Sequence, residues 1–331
     1  MAPPTVYRWD DDNAPVLAIN DSDTSALVEI VKACLVDGYG SKMPPGAGYS
    51  LEFENADGTA IAIKSQSPDS NGFYYSVATE QALYEDPLKD EHINIINMYE
   101  NMTDAISGIN STYPGRLFAC FDDDSSYYDE PIAWVLVADD RAFYLFLYIE
   151  GDWKLSENPD FDYITAYSNG FFGDFNTISP DPWSSLVWGY STLGNRGSRF
   201  GMLDEYRNSM SGAQVKRSRG GLDLDGHDVS IYHGGGPFWA EDGMGHSSDS
   251  DKTTPFGEGE PTFITRPMLS DTTDPKNFRG YIPGLYYPCH NRPYKNLEQV
   301  TVADKTFLAV RIRFYPYDDG QVLIDLGDWR A

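Results

Sequence analysis

Apolar and polar positions along this chain follow the period of a strand far more often than that of a helix. Helical spacing is clear at one place. Leu27, Ile30, Val31, Cys34 and Leu35 fall at i, i+3, i+4, i+7 and i+8, after the cap-rich run Asp21–Ser25 and before Gly38. This predicts a helix of roughly three turns over 24–37, with one apolar face packed on a sheet. Elsewhere the pattern predicts strands. Ser50–Glu54 and Thr59–Ile63 alternate around Asn55-Ala-Asp-Gly58, which predicts a hairpin over 50–64. Phe73–Val77, Ile93–Met102 and Leu117–Phe121 read as further strands, as do Thr262–Thr265 and Gly284–Tyr287. Lys305–Phe314 and Gly320–Leu326 predict a last hairpin, with Asp318-Asp-Gly320 as its turn.

Trp134–Leu147 departs from alternation. Apolar strand formers fill both flanks of Asp139-Asp-Arg141. A hairpin over 132–149 with both faces buried, at the centre of the core, is the expectation.

Together these elements predict a mainly β fold with minor α: antiparallel sheets or a sandwich, one amphipathic helix packed near the N-terminus, and long loops. Residues 1–190 read as the helix-plus-antiparallel-sheet core. Residues 191–260 read as a loop-rich arm or linker, and 261–331 as strands completing the same core. The middle stretch is polar and rich in Gly and Ser. Loops of that length in a compact protein are usually functional or ordered by a partner. No repeat of fixed period is present, which argues against a solenoid or propeller.

Charge narrows the partners. The chain has 51 acidic and 24 basic residues, a net charge of −27. Such a surface repels phosphate backbones, so general nucleic-acid binding is not expected. Tyr, at 23 residues against 7 Trp, suits half-buried sheet faces and wet interfaces. Cys34, Cys120 and Cys289 are far apart, odd in number and without a CxxC, so buried free thiols are expected rather than a disulfide framework or zinc site. No apolar run approaches the ~18 residues of a membrane span. Residues 1–12 lack the apolar centre of a signal peptide, so a soluble chain not exported by that route is expected.

One segment runs against the overall charge. Residues 191–219 hold six basic side chains against Asp204 and Glu205. Arg196, Arg199, Arg207 and Arg217 are therefore candidates for an intermolecular contact, with Asp10–Asp12 or Asp122–Asp124 of a neighbouring copy as receivers. The alternative is pairing within their own chain, worth ~0–1 kcal/mol for each solvated pair.

Two acidic groups are candidate Ca²⁺ ligands, because hard cations want converging carboxylate oxygens. One is Asp122, Asp124 and Asp129, and the other is Asp223, Asp225 and Asp228 around Gly226. Neither has EF-hand spacing, and a solvated loop is the plainer reading of both. His227 and His233 are six apart, which fits no zinc motif. GxxxxGK[ST], GxSxG and papain-like patterns are absent, so no catalytic residue and no enzymatic activity are assigned. With 51 acids, some carboxylate pair at glycosidase spacing of ~5–9 Å arises by chance. A carbohydrate-binding or carbohydrate-active module acting on host-surface glycan is the rival reading from another class.

Several blocks together resemble a family of virion structural proteins of tailed bacteriophages. They begin with Val6-Tyr-Arg-Trp-Asp10, Ala14-Pro-Val-Leu17 and Ala33–Lys42, followed by Tyr99-Glu-Asn-Met-Thr-Asp104. The most telling is Trp134-Val-Leu-Val-Ala-Asp139 with Arg141 and Phe143-Tyr-Leu-Phe146; Phe172-Gly-Asp-Phe175 comes next. Arg279–Pro293, Lys305–Val310 and Gly320–Trp329 complete the set. Residues 190–265 do not match well, and Met43–Gly48 departs from the family pattern. The resemblance implies a particle component made in the host cytoplasm and located in the virion. Expected partners are its own copies and other virion proteins. A tail or baseplate/adsorption-apparatus position is the expectation, with capsid decoration or head–tail collar as the alternative.

Overall fold

The computed structural model of the protein describes residues 3–18, 25–42, 46–79, 82, 94–109, 131–148, 161, 164, 166, 168–177, 183–191, 202–203, 209–217, 227–232, 264–266, 268–271, 278–288, 294–314 and 318–330. It is mainly β, with helix a minor element.

β1 (Thr5–Arg8) comes first. α1 (Ala26–Lys32) follows and runs directly into a π-helical turn at Ala33–Asp37. The five residues of the expected apolar face are all buried. The Gly38 N–H closes the wider turn on the Ala33 carbonyl at 2.7 Å, and its φ of 75° ends the helix. Ser25 makes no side-chain cap bond, and the rest of the expected cap, Asp21–Thr24, lies outside the described residues.

β2 (Tyr49–Glu54), β3 (Ala60–Ser65), β4 (Tyr74–Thr79) and β5 (Asn94–Tyr99) form an antiparallel meander. The 50–64 hairpin is present, its turn fixed by Asn55 Oδ1 accepting the Ala60 N–H at 2.7 Å. β6 (Asn101–Met102) and β7 (Gly108–Ile109) make a small ribbon. The expected strand at Leu117–Phe121 lies outside the described residues.

β8 (Ala133–Ala138) and β9 (Ala142–Tyr148) are the central hairpin, and every residue of both strands is buried. The alternation missing from the sequence reappears as two different covers. Trp134, Leu136, Ala138, Phe143, Leu145 and Leu147 pack on one side with α1 and the β2–β5 sheet. Ala133, Val135, Val137, Tyr144, Phe146 and Tyr148 pack on the other with the C-terminal strands.

β10 (Ser168–Asp174) pairs with β9 and is followed, after Phe175, by β11 (Asn176–Thr177). Then come β12 (Trp183–Ser191), β13 (Met202–Leu203), β14 (Ser209–Arg217), β15 (His227–Tyr232), β16 (Ile264–Thr265), β17 (Met268–Asp271) and β18 (Phe278–Tyr281). The pairings run β10–β12–β14–β15–β17–β18–β11, all antiparallel. Because β11 continues β10, this sheet closes into a ring of six strands, with β9, β8 and β1 branching from it. Within the stretch expected as a loop-rich arm, 191–260, the segments 209–217 and 227–232 are paired strands. Their low hydrophobicity hid them, since a strand in a ring takes its hydrogen bonds from neighbours far along the chain.

β19 (Leu285–Pro288), β20 (Gln299–Val302), β21 (Lys305–Phe314) and β22 (Asp318–Asp325) form the C-terminal sheet with β16, in the order β16-β19-β22-β21-β20. The last hairpin is present, but its turn is not at Asp318–Gly320. Those residues pair with Phe314, Arg313 and Ile312, so the strand starts earlier, at Asp318. An eight-residue antiparallel register outweighs the local turn preference of Asp and Gly. Among the described residues no helix is long and apolar enough to cross a membrane.

Two measurements test this packing. Phe143 stacks on Phe172 at 4.9 Å and meets Tyr49 and Tyr75 edge-on. Phe143→Ala should lower stability by about 3–5 kcal/mol in denaturant unfolding. Ala303 and Asp304 join β20 to β21 with φ of 49° and 64°, the sign pattern of a type I′ turn. Ala303→Asn with Asp304→Gly should raise stability by about 1 kcal/mol.

Candidate functional site

The most concentrated polar arrangement in the described structure lies at the tip of the central hairpin, where all three layers meet. Asp139 shapes the turn: its Oδ1 accepts the N–H groups of Arg141 at 2.8 Å and Ala142 at 2.6 Å. Its Oδ2 accepts Nε of Arg330 at 3.1 Å, an ion pair with both side chains about 95% buried (4% and 5% exposed). The end of β10 brings in a second carboxylate. Asp174 Oδ2 accepts the Asn71 N–H at 3.0 Å and Arg141 Nε at 3.3 Å. Arg330 Nη1 then reaches the Asp174 carbonyl at 2.8 Å and Asn176 Oδ1 at 3.0 Å. Asn176 Nδ2 donates to the Trp329 carbonyl at 2.7 Å, and Ser65 Oγ donates to the Asp140 carbonyl at 2.5 Å.

Two glycines permit this approach. Gly173 has φ 143°, and a Cβ there would strike Ala142. Gly284 has φ 69° and lies against the Trp329 indole, where a Cβ would collide with the ring. The indole Nε1 donates to the Asp325 carbonyl at 2.6 Å, and its ring meets Tyr144 edge-on at 5.4 Å.

Two carboxylates and two guanidiniums leave the junction formally neutral. That is the condition under which charges persist away from water. Tyr49 and Tyr75 lie alongside, and burial pushes their phenols well above the usual 10.0, so both stay neutral. Arg330 Nη2 and the Tyr49 hydroxyl have no hydrogen-bond partner. Chemically the arrangement is a clasp: apart from Arg330 Nη2, its charged groups bond one another, backbone groups and Asn176.

A smaller cluster fastens the N-terminal strand to the end of the helix. Asp11 Oδ2 accepts the Arg8 N–H at 2.7 Å, the Tyr39 hydroxyl at 2.8 Å and the Lys42 ammonium. Lys42 also lies over the rings of Tyr7 and Tyr39. Burial alone would raise the Asp11 carboxyl, but Lys42, the Arg8 amide and Tyr39 outweigh it and hold it below 3.8. Cys34 beside this cluster is a free, fully buried thiol, and burial pushes its pKa well up. Cys120 and Cys289 lie outside the described residues.

Of the candidates from sequence, Asp11, one of the expected receivers, is the hub of the smaller cluster. Asp122, Asp124, Asp129, Asp223 and Asp225 lie outside the described residues, as do Arg196, Arg199 and Arg207. Asp228 stands on β15 opposite Gln214, and Arg217 ends β14 opposite Trp183. Among the described residues no group of three or more His, Cys, Asp or Glu is placed to hold a metal ion. Sequence reasoning found Asp139 and Arg141 as a turn but missed Asp174, Asn176 and Arg330. Their signal was the polar residues interrupting apolar blocks at Phe172–Phe175 and near Trp329. The chain matches no protein-family model and no curated protein.

Arg330→Met should cost about 3–5 kcal/mol in denaturant unfolding, because it leaves Asp139 buried without its counter-charge. Adding Asp139→Asn should recover part of that loss, since the amide oxygen can still accept the turn N–H groups. A strictly additive double variant would contradict the coupling.

Asp11 predicts a pH dependence. A carboxyl whose folded pKa is depressed contributes stability that is present above its unfolded value near 3.8 and is lost as pH falls through the lower folded value. Asp11→Asn should therefore melt below the wild type at neutral pH. The gap should close on acidification below that value, which melting curves across the acid range will check.

Proposed function

We propose that the protein is a structural component of a tailed-bacteriophage particle, in the tail or its adsorption apparatus. It is held there by contacts with its own copies and with other virion proteins. The observation that carries this reading is the ordered set of blocks resembling virion structural proteins. Support comes from where those blocks fall. Trp134–Ala138 and Phe143–Phe146 lie in β8 and β9, Asp139 shapes the turn between them, and Phe172–Phe175 ends β10 and supplies Asp174. Arg279–Pro293 includes most of β18 and all of β19, Lys305–Val310 opens β21, and Gly320–Trp329 spans most of β22 and reaches the junction. Residues of different blocks bond directly, as when the Tyr144 hydroxyl donates to the Pro283 carbonyl at 2.5 Å across 139 positions. The blocks thus contribute one core and one junction.

Mass spectrometry of purified particles should find the chain, and immunogold labelling should place it at the tail. Label over the head or at the collar would move it to the alternative position, and absence from particles would refute the reading. Replacing Arg196, Arg199, Arg207 and Arg217 together with Gln should keep the monomer folded but reduce its incorporation. Normal incorporation at both low and high salt would remove that segment from the assembly contacts.

A further inference from the structure

Beside the C-terminal sheet lies a cation with no ion pair among the described residues. Arg266 follows β16 and is half-buried, its guanidinium 4.7 Å from the ring centre of Tyr281 and 5.7 Å from that of Tyr286. Its Nε is buried without a hydrogen-bond partner, so a ligand from another molecule would meet the two terminal nitrogens. Lys305 lies over the same Tyr286 ring at 5.5 Å, but it is committed to Asp325 at 2.5 Å. One ring therefore carries two cations, one neutralised by Asp325 and one with no ion pair among the described residues. Stacking on tyrosines fixes the guanidinium plane, so little further side-chain freedom is lost when it binds. The ligand that fits a fixed guanidinium fork, through two parallel hydrogen bonds, is a carboxylate. Arg and Tyr are also the residue types most enriched at the energetic centres of protein interfaces.

We infer that Arg266, backed by Tyr281 and Tyr286, receives an Asp or Glu side chain from a second copy of this chain. The occupant follows from charge. With 51 acidic residues against 24 basic, a copy offers carboxylates over much of its surface, among them the exposed Asp12, Glu52, Asp57 and Asp69. Two bodies of net charge −27 repel at long range, so contact between copies needs a local positive site that binds a carboxylate at short range. The inference rests on the reading that copies of the chain contact one another in a particle.

Sedimentation velocity over a concentration series, with the full chain at about 0.02 M and about 0.15 M salt, tests it. The wild type should self-associate, more strongly at the higher salt because long-range repulsion is then screened. Arg266→Gln should raise the dissociation constant about thirtyfold or more at both salts. Arg266→Lys, which keeps the charge and loses the fork, should fall between. Circular dichroism and melting curves establish that each variant is folded. If Arg266→Gln does not fold, Arg266→Lys decides alone. A wild type that stays monomeric throughout overturns the inference, and so does a folded variant that associates like the wild type. A chain monomeric in solution yet present in purified particles fails this contact and leaves the virion reading standing. Arg266-dependent association of a chain absent from particles does the reverse.

Discussion

The structure depends on a single constraint: a hairpin with no polar face. A two-stranded ribbon that is apolar on one side needs one covering layer. β8 and β9 are apolar on both sides and need two. The helix and the β2–β5 sheet supply one cover, and β19, β21 and β22 supply the other. The order of elements follows. One cover precedes the hairpin in the chain and the other follows it, so neither can form its buried face before the hairpin exists. Loss of the hairpin would leave two half-cores, each with an apolar face toward water.

Burying a hairpin on both faces also buries its turn, and a turn cannot be made apolar. The amides of Arg141 and Ala142 need acceptors, which Asp139 provides. The carboxylate then needs a counter-charge, and Arg330 provides it. Arg141, projecting from the same turn, is balanced by Asp174. The four-charge junction is thus the consequence of placing a tight turn inside a core. The same network fixes the relation of the layers: Ser65 ends β3, Asn71 lies between β3 and β4, Asn176 is in the ring, and Arg330 is in the C-terminal segment. A net-neutral group of buried charges tolerates loss of a matched pair better than loss of one partner, so the junction favours registry over raw stability.

What could be read from the sequence follows the range of the interactions. Leu27 to Leu35 and Trp134 to Leu147 announce themselves through local periodicity or its absence, and both elements stand where the pattern put them. β14 and β15 carry no such signal, because their partners are long-range strands in the ring. Asp318–Gly320 misled for the converse reason: a strong local turn preference yielded to pairing with Ile312–Phe314. The clasp was half visible. Asp139 sits in an evident turn, but nothing near Arg330 shows that its partner lies 191 positions away.

Edges decide where a sheet can pair with a further strand. Ring closure removes the free edges of six strands, and backbone pairing is unavailable there. β2 remains an edge strand among the described residues. It is bulged between Leu51 and Phe53, presents the exposed Glu52 and Glu54, and lies against the helix end, where Ala47 N–H bonds the Cys34 carbonyl. A bulge and like charges on an edge oppose pairing with an identical edge. β20 is only four residues long, too short to anchor a neighbour through backbone bonds alone. At β2 and β20 these features oppose the addition of a further strand.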